Sequence, residues 1–215
     1  MMEIAILREL LTPPEQERCF YGVVVGIVTN NQDPDGMGRV KVNFPWLSDK
    51  DESAWARVVA PMAGKNRGVY FLPEVGDEVL VAFQHGDMGF PYILGALWNG
   101  QDQPPESNQD GKNNKRTLKS RSGHLIRLDD TDGAEKIEII DKSEKNAITI
   151  DTQTNTITIY ADGDIAIKSS QGKVQIEGKG IVLKSDAEIK IEASQTLDLK
   201  AQTQLTIKGA SVNIN

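Results

Sequence analysis

From Ile137 onward the chain repeats one motif, two aliphatic residues separated by a single residue, and the repeat settles into a period of eight. The pairs are Ile137/Ile139, Ile148/Ile150, Ile157/Ile159, Ile165/Ile167, Val174/Ile176, Ile181/Leu183, Ile189/Ile191, Leu197/Leu199, Leu205/Ile207 and Val212/Ile214. First members from Ile157 to Leu205 span 48 residues in six steps, a mean of 8. Alternation within each pair is the mark of a short strand with one apolar face, and recurrence at a fixed interval is the mark of a repeat architecture. One such unit cannot stand alone. Burying two side chains yields roughly 1.5 to 3 kcal/mol each, whereas ordering eight backbones costs roughly 1 to 2 kcal/mol apiece. A single-chain β-helix would need about three strands, or roughly 18 residues, per coil, and the tract would furnish only about four thin coils. Three intertwined copies fit better: each octad forms one face of a triangular prism and the apolar pairs meet on the axis. At about 4.8 Å per strand, ten pairs predict a rod of roughly 45 to 50 Å whose core exists only in the trimer.

The preceding part of the chain follows a different rule. Between Phe20 and Trp98 short β-rich runs, Tyr21–Val28, Gly38–Phe44, Ala54–Val59, Glu78–Phe83 and Tyr92–Leu97, are separated by turn-forming clusters such as Asn30-Asn31-Gln32-Asp33-Pro34-Asp35-Gly36. Five strands in about 80 residues predict a small closed Greek-key barrel of the oligonucleotide/oligosaccharide-binding (OB) type. Gln101–Asn114, almost wholly polar with Pro104, Pro105 and Gly111, has linker composition, and Arg121–Asp129 and Glu135–Asp141 around Asp132-Gly133 predict a hairpin. Ile4, Leu7 and Leu11 at helical spacing before Pro13-Pro14 predict a short N-terminal helix. The expected organisation is therefore all-β apart from that helix: 1–19 helical segment, 20–100 barrel, 101–135 linker and hairpin, 136–215 octad-repeat triple-stranded β-helix.

Charge and chemistry narrow the function. Residues 1–100 carry 8 Lys and Arg against 13 Asp and Glu, and the whole chain has a formal charge of −7, which disfavours nucleic acid as a partner. No run approaches the length of a membrane-spanning helix, and Met1–Glu17 lacks the pattern of a secretory signal, so synthesis in the cytoplasm is expected. Cys19 is the single cysteine, which leaves no disulfide framework. His85 with Asp87, Asp77 and Glu74, His124, and the run Asp129, Asp130, Asp132 and Gly133 are the candidates for catalysis or metal binding. None has the spacing of a known ligand set or catalytic group, and nucleotide-binding and nucleophile-elbow motifs are missing from the sequence. Neither a cofactor nor an enzymatic activity is expected. Trp46, Trp55 and Trp98 could stack on bases or sugars, but core or trimer packing is the stronger expectation.

Three ordered blocks sharpen this picture: Gly38-Arg39-Val40-Lys41-Val42-Asn43-Phe44-Pro45-Trp46, Phe71-Leu72-Pro73-Glu74-Val75-Gly76-Asp77-Glu78-Val79-Leu80-Val81-Ala82-Phe83 and Pro91–Gly100. Together with Trp55-Ala56-Arg57-Val58, Arg121-Ser122-Gly123-His124 and the octads, they resemble the contractile-tail spike proteins, a family that includes phage baseplate assembly protein V and VgrG proteins of type VI secretion. The resemblance implies a homotrimeric structural spike that pierces a target envelope when a sheath contracts, within a phage or phage tail-like particle. It also implies contact with a hub protein at the barrel end. A PAAR-type tip protein would sit on a platform at Val212 and Ile214, and contact with the target membrane would be transient and mechanical. On this reading Ile157, Ile159, Ile165, Ile167, Val174, Ile176, Ile189, Ile191, Leu197, Leu199, Leu205 and Ile207 form the trimer core, and the barrel-motif residues Pro73, Gly76, Gly95 and Trp98 shape the trimer. Departures from larger members, a linker too short for a lysozyme domain and about 20 residues ahead of the barrel, imply no wall hydrolysis and a separate hub. A trimeric glycan-binding module, with the barrel as its binding domain, is the competing expectation.

Overall fold

The computed structural model describes residues 19–48 and 50–213, which divide into two units meeting at Asp162/Gly163. Among the described residues there is no helix, and so none long and apolar enough to cross a membrane. The expected N-terminal helix and Ile214 lie outside the described residues.

The first unit begins with a closed barrel. Its strands are β1 (Val23–Asn30), β2 (Arg39–Asn43), β3 (Ala56–Val58), β6 (Glu78–Gln84) and β7 (Asp87–Ala96), joined in the order β1-β2-β3-β7-β6 and back to β1. Only β3 and β7 run parallel. A small hairpin, β4 (Ala63–Gly64) and β5 (Arg67–Gly68), is inserted between β3 and β6. Alternation decides what lies inside: Val40 and Val42 of β2, and Val79, Val81 and Phe83 of β6, point inward with Val28, Phe44, Ala56 and Ile93 to form the core. Phe20, Val24, Val58, Leu72 and Met88 pack around it. Gly26 sits where β1 passes closest to β2; a Cβ there would stand 3.3 Å from both the Asn43 carbonyl oxygen and the Val42 Cβ. Gly76 adopts φ 99° before β6 and donates its N–H to the Val28 carbonyl at 2.8 Å, tying that turn to β1.

The β1–β2 turn is organised by one carboxylate. Asp33 accepts from the backbone N–H groups of Asp35, Met37 and Arg39, and from Arg39 Nε at 2.8 Å and Nη2 at 2.7 Å. The Arg39 guanidinium, foremost among these donors, holds the Asp33 carboxyl well below the usual carboxylate range.

A second sheet follows in the same unit: β8 (Lys115–Lys119), β9 (Leu125–Asp129), β10 (Lys136–Ile140), β11 (Asn146–Asp151) and β12 (Thr156–Ala161), an antiparallel meander with β8 and β12 at its edges. Asp132-Gly133 does turn β9 into β10. Ile137/Ile139, Ile148/Ile150 and Ile157/Ile159 pair with one another here, within one chain. The reason is spacing: 11 residues separate the first two pairs and 9 the next two, long enough to include the turns at Asp141–Lys145 and Thr152–Asn155. In the first turn the Ser143 hydroxyl, followed by the Asn146 side-chain amide, holds the Asp141 carboxyl down to about 2.

In the second unit, residues 163–213 run as extended segments with bends at 162–163, 170–172, 179, 186–187, 194–195, 202–203 and 210. No ladder forms among them, and every one is exposed.

Candidate assembly surfaces

The two faces of the meander sheet differ in their share of apolar rows. One carries two apolar rows: Leu128, Ile137, Ile150 and Ile157 in the first, and Leu118, Ile126, Ile139, Ile148 and Ile159 in the second. Alternation on five paired strands puts all nine on the same side, where they are 40 to 71% exposed. A continuous aliphatic face of this kind is uncommon on a surface that stays in water. A concavity of 480 Å³ lies along the second row, bounded by Leu118, Ile126, Ile139, Ile148, Ile159 and the turn residues His124 and Asp141.

On the opposite face two rows are polar and the third, at one end, carries Leu125, Ile140, Ala147 and Tyr160; the polar part is clasped by the chain itself. Glu106, from the segment read as a linker, reaches Arg127 on β9, accepting from its Nε at 3.1 Å and Nη2 at 2.7 Å, and from the Thr117 hydroxyl of β8 at 2.8 Å. The Thr117 hydroxyl, then the Arg127 guanidinium, keep the Glu106 carboxyl below its ordinary range. Arg127 also lies 3.7 Å from Glu138 on β10, which Lys136 approaches at 2.9 Å. Asn99 begins the same segment, accepting from the N–H groups of Gln101 and Asp102 and donating to Glu78 of the barrel at 3.3 Å. Arg121, in the β8–β9 turn, pairs with Glu74 of the barrel at 2.9 Å. None of this clasp was legible in the sequence, because a lone Glu in a polar stretch carries no periodic signal.

The second unit presents the remaining apolar pairs. Ile165, Ile167, Val174, Ile176, Ile189, Ile191, Leu197, Leu199, Leu205 and Ile207 are each more than half exposed, and Val212 is 49% exposed. Ile157 and Ile159 stand apart from these, on edge strand β12 of the first unit.

Within the barrel, the motif residues do different things. Pro73 is buried, and its carbonyl accepts from Asn31 Nδ2 at 3.1 Å. Gly76 forms the turn described above. Gly95 lies opposite Leu80 in the β6–β7 ladder with open space where a Cβ would be, and Trp98 is 69% exposed. None of the three tryptophans enters the buried barrel core: Trp46 packs on Phe20 and Phe44 at the rim, and Trp55 lies beneath Arg39 and Lys41.

The candidate catalytic and metal residues are not brought together. Glu74 and Asp77 precede β6 and cap each other's turn, whereas His85 follows β6 at its far end. His124 Nδ1 accepts the Lys142 N–H at 3.2 Å. Asp129 accepts from the Thr131 N–H and hydroxyl, Asp130 pairs with Arg116, and Gly133 completes a turn. Among the described residues no three His, Cys, Asp or Glu side chains converge as a metal site.

On OB barrels the β2–β3 face is the usual place for an oligonucleotide or oligosaccharide. Here that face is engaged internally. Arg39 is held by Asp33 and Asp35, and Lys41 is held by Glu52 at 3.1 Å while lying over Trp55. Arg57 stacks on Tyr92, 4.7 Å from the ring centre.

Comparison with known proteins accounts for the barrel. Residues 24–98 match the family of type VI secretion system/phage-baseplate injector OB domains. The chain is 36% identical over 141 residues to the type VI secretion system spike protein VgrG1b of Pseudomonas aeruginosa, covering 58% of this chain and 18% of that protein. Similarity to VgrG2a of the same organism is 28% over 191 residues, covering 85% and 21%. For VgrG3 of Vibrio cholerae it is 29% over 152 residues, covering 67% and 15%. The chain thus spans about a fifth of the length of these relatives. With its closed barrel matched to the injector OB domain and its similarity continuing into the sheet and repeat, the chain carries an injector OB domain and is similar to the VgrG-like baseplate spike proteins.

Proposed function

We propose that the chain is the central spike of a contractile injection apparatus, working as a homotrimer without enzymatic activity. The observation that carries this reading is the second unit: six successive extended segments and the start of a seventh, bent about every eight residues, with exposed aliphatic pairs and no ladder of their own. Such a backbone is complete only when strands of the same period lie beside it, and a strand with the same bends in the same places is another copy of this chain. Three copies wound together bury the pairs of 157–207 on a common axis and pair every segment. No strand can then leave without breaking several ladders, so the rod is stiff in compression, as a piercing element must be.

The finer parts of the reading follow from this one. The barrel end attaches to a hub protein, and Val212 and Ile214 offer a blunt apolar platform to a PAAR-type tip protein. The assembled particle makes brief mechanical contact with the target membrane on sheath contraction. Made in the cytoplasm, the trimer joins a phage baseplate or tail-like particle. Nucleic acid is not its partner, since Arg39 and Lys41 on β2 of the barrel are already paired with neighbouring acids and the chain's net charge is negative.

Light scattering tests the assembly directly. The full chain is expected at about 71 kDa, three chains of 23.6 kDa, and a truncation ending at Gln109 at the mass of one chain. A folded full-length monomer would sink the proposal.

A further inference from the structure

We infer that the meander sheet β8–β12 is where three copies of the chain first meet, and that it sets the register in which the octads then wind. The inference rests on the trimeric reading above and adds an order of events and a location to it. The two apolar surfaces of this chain are unfinished to different degrees. In the sheet, β9, β10 and β11 are paired on both edges inside one chain, so its aliphatic face is presented by a structure that needs no partner to exist. Residues 163–213 have no ladder until other chains supply one. A preformed face can dock at once, whereas an unformed tract must first lose its conformational freedom.

Register gives the second argument. Steps of eight recur from Ile181 through Leu205, so a tract pairing on its own would find nearly equivalent alignments one octad apart. The sheet offers no such ambiguity: its pairs are 11 and 9 residues apart and its two apolar rows differ, one four strands wide and the other five. Three sheets packed by these faces fix the starting level of all three tracts. Each following octad is then closed at the high local concentration that linkage creates. The occupant of the face is therefore two further copies of this chain. The same copies supply the strands of matching period that the continuous tract requires.

The test uses the full chain with Ile139→Asp and, on the neighbouring strand, Ile148→Lys, each placed centrally on the face, against Ile191→Asp in the tract. Mass in solution and amide hydrogen exchange are read together. Both face variants are expected to fall to one third of the parent mass, with β9–β11 amides still protected and the tract unprotected. The Ile191→Asp chain is expected to remain trimeric, with protection in the sheet and loss of protection from about Ile189 onward. Trimeric face variants with a protected tract, or a monomeric Ile191→Asp chain, would overturn the order. So would monomeric face variants that lose sheet protection, because the sheet would then not precede association. A monomeric parent would overturn the trimeric reading itself, and the inference with it.

Discussion

The barrel and the octad tract use the same residues, valine, isoleucine and leucine in alternation, to opposite ends. In the barrel, β6 alternates inward Val79, Val81 and Phe83 with outward neighbours, and closure of five strands takes every inward side chain out of water within one chain. In the tract the alternation is just as regular, yet Ile191 is 57% exposed and each segment's backbone lies open. What differs is the length between apolar pairs. The turns at Asp141–Lys145 and Thr152–Asn155 reverse the chain so that its strands pair with one another, whereas the tract's bends of one to three residues join segments that form no ladder. Spacing, more than composition, separates a region that completes itself from one whose apolar pairs stay exposed in the single chain.

The contrast can be broken most forcefully at Ile93, which is fully buried in the barrel. Ile93→Ala should cost about 2–5 kcal/mol in urea unfolding of the barrel at any protein concentration, while Ile191→Ala should leave the barrel transition in place. Equal effects on that transition would erase the distinction. Removing the clasp with Glu106→Ala should cost about 1–3 kcal/mol, since it leaves Arg127 and Thr117 without their carboxylate. The expected signature is faster amide exchange in β8 and β9 with the barrel unchanged. Asp33 sharpens the comparison through pH. Its folded carboxyl titrates below the unfolded value of about 3.9, so its contribution is present above that value and fades as pH falls toward the depressed one. The barrel's urea midpoint should drop between pH 5 and pH 3, and Asp33→Asn should lower the midpoint at pH 7 and flatten that slope. The smallest change is expected at Val182, 89% exposed between Ile181 and Leu183. Val182→Thr should shift the tract's melting by no more than about 0.5 kcal/mol, whereas Ile181→Thr should lower it clearly.

The barrel strands were readable because alternation and turn chemistry coincide there; β1 falls at Val23–Asn30 where the pattern suggested Tyr21–Val28. Two features escaped. β8 has Leu118 as its one aliphatic residue, and it is a strand because β9 pairs along its whole length. The β4–β5 hairpin consists of two-residue strands turned by Asn66 at φ 54°, too short for any period to register. In the repeat, the apolar pairs were legible as pairs, but the first three lie in an intrachain sheet, and the longer intervals of 11 and 9 were the available signal. The clasp at Glu106 was beyond reach for another reason: its partners are 11 and 21 positions away and become neighbours only after the sheet has formed.

That clasp changes what the stretch from Asn99 to Arg121 means mechanically. Its composition suggests a swivel, a slack length about which the barrel could turn freely. Instead it is fastened to the barrel at Asn99, to the sheet at Glu106, and back to the barrel through Arg121 and Glu74. Rotation of the barrel about the chain would have to break these links one after another. The junction behaves as a keyed shaft, so that torque applied at the barrel arrives at the sheet as twist and is not lost as idle spinning.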